Sequence, residues 1–329
     1  MRCVLLKFPQ KECDLCCAYC YLRSRKRAAG GDFMQRHPPE SIAESLSPER
    51  VGGPCFFYGY ADGEPLLHEE NVRLLAALAA RGHFVAMTTN LNAADPGRLE
   101  RVFASCDRWR VLFLASLHWN ELRRSGRLNA FFNTMDCLRA AGFSCRIRLC
   151  LAPEYLSERE SIDALCLQRT GQLPLLTRWR GPESPDLDMS ELDCIGARSP
   201  VYRLQKSCTD VPRREFCFAG KRSVVLDLGS GEFRACLAEP VTGVLDPNSP
   251  HTALPFPGKP VGRHCHAHWC MCCSVLWPWG VLPDLFPGTW ADLFFTSGDR
   301  FVVPALRASL SVVPEVLSRI DHNPAEECL

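Results

Sequence analysis

The stretch ECDLCCAYCYL, residues 12–22, decides the fold of this chain. Cys13, Cys17 and Cys20 form a C-x3-C-x2-C triplet, with Cys16 in a variable position and Tyr19 just before the last thiol. Three thiolates on one short loop can hold three irons of a 4Fe–4S cube and leave the fourth iron without a protein ligand. A chelating small molecule can take that corner. A zinc site favours paired C-x2-C units and four closed ligands. An electron-transfer ferredoxin site brings a fourth cysteine followed by proline, and no proline follows Cys20.

On either side of this loop the chain alternates short apolar runs with helical patterns. CVLLKF (3–8), CFFYGY (55–60), HFVAMTTN (83–90), VLFLASLH (111–118), CRIRLCLA (145–152) and LPLLTRWR (173–180) are predicted strands. Between them, Val72, Leu75 and Ala79 share one helical face, and Leu128, Phe131, Met135 and Leu138 share another that Gly142 closes. A further helix is expected over Glu158–Leu167. Strand-then-helix repetition at this spacing predicts parallel strands, here an α/β fold of the partial (βα)6 barrel type. Working groups then gather at the C-terminal strand ends. The cysteine loop, ADGEP, TTNLN, SLHWN and the turn at Arg178–Arg180 fall on that one rim.

The triplet after a first strand, with an aromatic before the last cysteine, resembles the signature of the radical S-adenosylmethionine (SAM) enzymes. ADGEPLL (61–67) is similar to the family's glycine-glycine-glutamate-proline segment after the second strand, with Asp62 in place of the first glycine. The resemblance implies that Cys13, Cys17 and Cys20 carry a 4Fe–4S cluster and that Gly63 and Glu64, beside Asp62, hold the methionine amino group of SAM. It further implies that Asn90 of TTN and Ser116 meet the ribose or carboxylate, and that Arg148, or else Arg146, pairs with the carboxylate. Tyr19 belongs to the same cofactor-binding set. On this reading a reduced cluster cleaves SAM, and the resulting 5′-deoxyadenosyl radical takes hydrogen from a substrate. An electron donor such as flavodoxin or ferredoxin is implied.

After GPESPDLDMSEL (181–192), a linker by composition, the character changes. Two apolar runs around Gly229-Ser230-Gly231 signal a hairpin. Cys217, Gly231 and Cys236 resemble the opening of the one-cluster auxiliary (twitch or SPASM-like) domain that follows many radical SAM barrels. Two of Cys265, Cys270, Cys272 and Cys273 would complete a second 4Fe–4S cluster. A structural zinc with Cys270 and Cys273 as half its ligands is the alternative. The expected domains are therefore a barrel (1–182), a linker (183–215), a small cysteine-rich α+β auxiliary domain (216–275) and a helical extension (276–329), with an amphipathic helix near Val303–Ile320.

A net charge of +1 excludes partners recruited by a bulk electrostatic field, so neither nucleic acid nor a membrane surface is expected. No export signal or spanning apolar run is visible. Twenty cysteines without such a signal point to metal in a reducing cytoplasm rather than to disulfides, the scattered ones being small buried hydrophobes. Because the cluster loop begins at residue 13, with no peptide-binding segment before it, a small-molecule substrate is the expectation. A peptide or protein side chain is the alternative, and a non-catalytic iron–sulfur or zinc protein is the third. Cys16, Cys150 and Cys194 are spare thiols that could return a hydrogen atom; an auxiliary cluster could instead remove an electron.

Overall fold

The computed structural model describes residues 1–20, 31–179, 189–208, 215–249 and 299–312, together with short pieces between 254 and 295. Six strands run in parallel in chain order: β1 (Cys3–Phe8), β2 (Phe56–Ala61), β3 (Phe84–Thr89), β4 (Val111–Ser116), β5 (Ser144–Leu151) and β6 (Leu175–Arg178). These are the six predicted runs: β1 coincides, β2 and β5 are shifted by one residue, β3 loses one residue at each end, β4 loses two at its C-terminal end and β6 loses two at each end. The helices that join them cover one face of the sheet. Val72, Leu75 and Ala79 of helix Glu69–Ala80 and Phe131, Met135 and Leu138 of helix Leu128–Ala140 are buried in that outer core. Gly142, with φ +89°, reverses the chain after the second of these helices, a conformation that favours glycine.

Strand alternation sends every second side chain to the other, concave face. Along each strand that face changes from apolar to polar towards the C-terminal end. Phe56, Tyr58 and Tyr60 follow one another on β2; Phe84, Ala86 and Thr88 on β3; Leu112, Leu114 and Ser116 on β4; Arg146, Arg148 and Cys150 on β5. The apolar lower layer is covered by the far end of the chain. Trp290 and Phe294, on helix Trp290–Phe294, stack with ring centroids 4.1 Å apart, and Trp279 and Trp290 both pack on Phe56. Thr289 and Asp292 cap that helix reciprocally. Arg146 belongs to this floor. It is 4% exposed, donates from Nε to the Phe294 carbonyl and from Nη1 to the Leu173 carbonyl, and lies 3.7 Å from Asp299. It is thus occupied below the rim, which leaves Arg148 as the fifth-strand arginine that faces the opening.

The hairpin read around Gly229–Gly231 is present as β7 (Ser223–Asp227) and β8 (Glu232–Arg234), followed by β9 (Val241–Val244). It does not stand apart from the barrel. β7 pairs in parallel with β1, Cys3 opposite Ser223, so one nine-stranded sheet runs β6-β5-β4-β3-β2-β1-β7-β8-β9. The stretch expected as linker, 183–215, carries two helices, Met189–Gly196 and Pro200–Cys208. Leu192, Val201 and Tyr202 bury there, and the Tyr202 hydroxyl donates to Asp193. Their apolar spacing outweighs the turn-forming composition that precedes them. Of the predicted Val303–Ile320 helix, Pro304–Leu310 is helical, and residues beyond 312 lie outside the described set. No helix among the described residues is long and apolar enough to cross a membrane.

Candidate active site

A cavity of about 460 Å³ opens at the C-terminal ends of β1–β6. The polar upper layer of the concave face forms its base: Tyr60, Thr88, Ser116, Arg148, Cys150 and Thr177. Cys13, Cys16, Cys17, Tyr19 and Cys20 border it from the loop after β1, and Asp62, Gly63 and Glu64 border it from the loop after β2. Asn90 borders it from the end of β3. The structure therefore brings together every residue expected at the first site: Cys13, Cys17, Cys20, Tyr19, Asp62, Gly63, Glu64, Asn90, Ser116 and Arg148.

The two loops are joined at Gly63. The Glu64 N–H donates to the Glu12 carbonyl at 2.7 Å, and a side chain at Gly63 would lie 2.2 Å from that same oxygen. Glu64 closes the other side. Its Oε1 accepts from the Leu66 N–H at 2.9 Å and the Thr89 hydroxyl at 2.6 Å, and its Oε2 accepts from the Asn90 N–H at 2.6 Å. Glu64 is 2% exposed, and burial outweighs these donors, raising its pKa to about 7. Asn90 continues the clamp: its Nδ2 donates to Asp14 Oδ1 at 2.9 Å and points at Cys13 Sγ, 3.8 Å away, while Asn92 Nδ2 donates to the other Asp14 oxygen. Asn71, fully buried, donates to the Pro65 carbonyl and to Gln10. Asp14 and Asn71 were not singled out from sequence, because their partners lie 76 and 61 positions away.

Arg148 reaches across the concave face. Its Nη1 donates to Tyr58 on β2 at 3.1 Å and to Thr88 on β3 at 3.0 Å, and Tyr58 and Thr88 are themselves hydrogen-bonded. Nε of Arg148 is buried without a partner, and no carboxylate pairs with this arginine among the described residues. Ser116 sits directly across the ladder from it. On the cysteine side, Tyr19 stacks on His118 with centroids 5.9 Å apart, and its hydroxyl is hydrogen-bonded to His118 Nδ1 at 2.5 Å; Cys17 Sγ lies 3.3 Å from the same nitrogen. Burial lowers the His118 pKa to about 4 and raises that of Tyr19 well above its ordinary value, so both are neutral. Burial, and then the neighbouring thiols of Cys13 and Cys20, push Cys17 up to about 12.

This donor set fits an iron–sulfur cube. Three thiols border one cavity, an amide N–H points at one sulfur and a ring nitrogen lies against another. No three His, Cys, Asp or Glu side chains among the described residues converge on a single ion. A cube does not need that, since each thiolate takes a different iron.

The second group of expected ligands is only partly described. Cys217 and Cys236 are 9% and 6% exposed in the floor-side core. Cys217 is bridged to Gly262 by a pair of backbone hydrogen bonds, and the Ala238 N–H donates to Cys236 Sγ at 3.4 Å. Cys265, Cys270, Cys272 and Cys273 lie outside the described residues.

No protein-family model matches the chain, and no curated protein does. Solved structures do. anSMEcpe with bound AdoMet superposes with a TM-score of 0.54 at 12% identity, over 79% of this chain and 81% of that one. The same protein with bound AdoMet and Kp18Cys peptide gives 0.51 at 12% identity over similar spans, 79% and 81%. Streptococcus suis SuiB bound to precursor peptide SuiA gives 0.50 at 14% identity, over 78% of this chain and 64% of SuiB. The chain thus spans less than two thirds of the length of SuiB. At these identities the likeness is one of fold, which this chain shares with anSMEcpe and SuiB.

Proposed function

We propose that this protein is a radical SAM enzyme, with a 4Fe–4S cluster on Cys13, Cys17 and Cys20 and SAM in the 460 Å³ cavity beside it. One observation carries the reading: the three thiols, the ADGEP loop and the guanidinium of Arg148, which has no carboxylate partner among the described residues, border the same cavity at the strand ends. Bound together, cluster and SAM supply one-electron cleavage of a sulfonium and a radical able to take a hydrogen atom. The protein's own residues bind, orient and enclose. Arg148, backed by Ser116, offers a cation for the carboxylate of SAM. Glu64, Asn90 and Asp14 hold the two loops at fixed separation. Tyr19 and His118 wall the cysteine side with stacked rings. The apolar floor around Trp290 excludes water from below.

The cavity has the volume of one drug-sized ligand. We take the substrate to be a small molecule. The peptide-bound state of SuiB and of anSMEcpe favours a second reading, in which the reacting end is a peptide side chain. Cys16 and Cys150 border the cavity, whereas Cys194 lies on helix Met189–Gly196. Cys217 and Cys236, with two of Cys265, Cys270, Cys272 and Cys273, remain the proposed ligands of a second cluster, and a flavodoxin or ferredoxin the proposed electron donor.

The test is anaerobic reconstitution with iron and sulfide, followed by dithionite and SAM. The expected products are methionine and 5′-deoxyadenosine. Their absence, with the cluster's absorbance present, would leave a non-catalytic iron–sulfur protein. The Cys13/Cys17/Cys20→Ala triple variant should lose all cleavage yet retain iron; iron falling to zero would remove the second cluster. Deuterium transfer from a candidate substrate into 5′-deoxyadenosine separates small molecules from peptides.

A further inference from the structure

The loop after β2 presents two carboxylates in very different circumstances. Glu64 occupies the position that the family resemblance assigns to the amino group of SAM. Its two oxygens already accept three short hydrogen bonds from Leu66, Thr89 and Asn90, and it is 2% exposed. Turning it towards a ligand would strip a buried clamp of its central acceptor and leave two N–H groups unsatisfied. Asp62, two residues earlier, borders the same cavity, is only half-buried, and makes no hydrogen bond or ion pair among the described residues. It stands where the family pattern has glycine, so nothing in the backbone geometry of the turn requires it.

Asp62 has a counterpart. Arg148 is a cation that borders the cavity and has no carboxylate partner, and its head is drawn to β2 by the hydrogen bond to Tyr58. Tyr58, Tyr60 and Asp62 follow at alternate positions along β2 and its continuation. One cavity thus holds, with Lys11 and Arg178 also on its border, an arginine without a carboxylate partner and a carboxylate without a cation partner among the described residues. A cation and an anion on the border of one pocket, neither in an ion pair with the other, match a zwitterion, and the aminoacyl group of SAM is one.

Building on the proposed function, we infer that Asp62 is the anionic partner of the SAM α-ammonium in this protein, and that Glu64 is a positioning residue that holds the loop. The side chain that departs from the family's glycine thereby takes over a contact that the glutamate cannot make without releasing β3.

The experiment compares two ligands on the reconstituted holoprotein by equilibrium dialysis: SAM, and deaminated SAM with hydrogen in place of the α-ammonium. Asp62→Asn is expected to weaken SAM about tenfold, the size of one charge-assisted hydrogen bond, and to leave the deaminated ligand within about twofold. Asp62→Gly should behave alike and guards against a misplaced asparagine. Glu64→Gln is expected to lower the unfolding temperature and weaken both ligands in equal proportion, as a clamp would. Equal weakening of both ligands by the Asp62 variants, or none, overturns the assignment while SAM binding by the unaltered protein stands. If the unaltered protein binds neither ligand, the functional reading falls and the assignment with it.

Discussion

Gly63 carries no functional group, yet the site depends on it. A methyl there would meet the Glu12 carbonyl at 2.2 Å and the Lys11 carbonyl carbon at 2.5 Å, both backbone atoms. Neither can swing aside, because the Glu12 carbonyl is held by the Glu64 N–H. Gly63→Ala must therefore part the cysteine loop from the ADGEP loop. It should cost about 1–3 kcal/mol in stability, the usual range for overpacking. Iron uptake and SAM affinity should fall together, read by iron assay and dialysis; normal iron uptake would show that the loops are independent. His83 gives a pH prediction away from the site. The ring is fully buried, accepts from the Cys55 N–H at 3.1 Å and donates from Nε2 to the Leu46 carbonyl at 2.9 Å. Burial lowers its pKa to about 4, so the unfolded chain binds this proton more readily than the folded one. The stability it confers is whole above about pH 6.5 and is lost as pH falls through 4, on the order of 3 kcal/mol. In urea unfolding, His83→Gln should be less stable at pH 7 but lose less between pH 7 and 5. The roles of such residues were only half legible in the sequence. Glu64 and Asn90 announce themselves by motif, but the bonds that make them a clamp join residues 26 positions apart.

The strands were legible because each is an apolar run bounded by turn residues. Their inner gradient was not, since it appears only when the parity of each strand is known. On β5 the consequence is that Arg146 and Arg148, two positions apart and alike in sequence, do different things. Arg148 faces the cavity, and Arg146 lies in the floor against Asp299, whose side chain is 1% exposed. Burial lowers the pKa of Arg146 and raises that of Asp299, the signature of a pair taken out of water together. Removing one member of a buried pair leaves the other charge uncompensated, at a cost of about 3–5 kcal/mol. Asp299→Asn should approach the lower end, since the amide keeps the oxygen that accepts from the Phe301 N–H, and guanidinium denaturation measures it. A change below about 1 kcal/mol would mean the pair is solvated. The helix Trp290–Phe294 on the same floor was missed, although Thr289 and Asp292 have the spacing of a capping box. Five residues are too few to show a helical period.

The largest departure from the sequence-based expectation lies in how the parts join. The Gly229–Gly231 turn identified the hairpin, but no local pattern tells which edge a hairpin will join. β7 adds to β1 across 220 positions, with Lys7 and Asp227 bridged at 2.7 Å along the join. Both ends of that bridge are partly exposed, at 36% and 23%, so it contributes at most about 1 kcal/mol. The ladder and the buried side chains of Val224, Val225 and Leu226 hold the join instead. Leu5 and Val225 also share the floor-side core with Trp290. A strand hydrogen-bonded into the central sheet and packed on a common core cannot open by itself without exposing β1 as an edge. Hydrogen exchange should therefore give the amides of Val224–Leu226 the same opening free energy as those of Val4–Leu6, with urea lowering both at one slope. β9 is the outermost strand, Val244 is 55% exposed, and its amides should exchange earlier. If β7 instead exchanged with β9, about a hundredfold or more ahead of β1, the hairpin would be a separate unit resting against the barrel. The cavity would then be formed by β1–β6 without support from the sheet beyond β1.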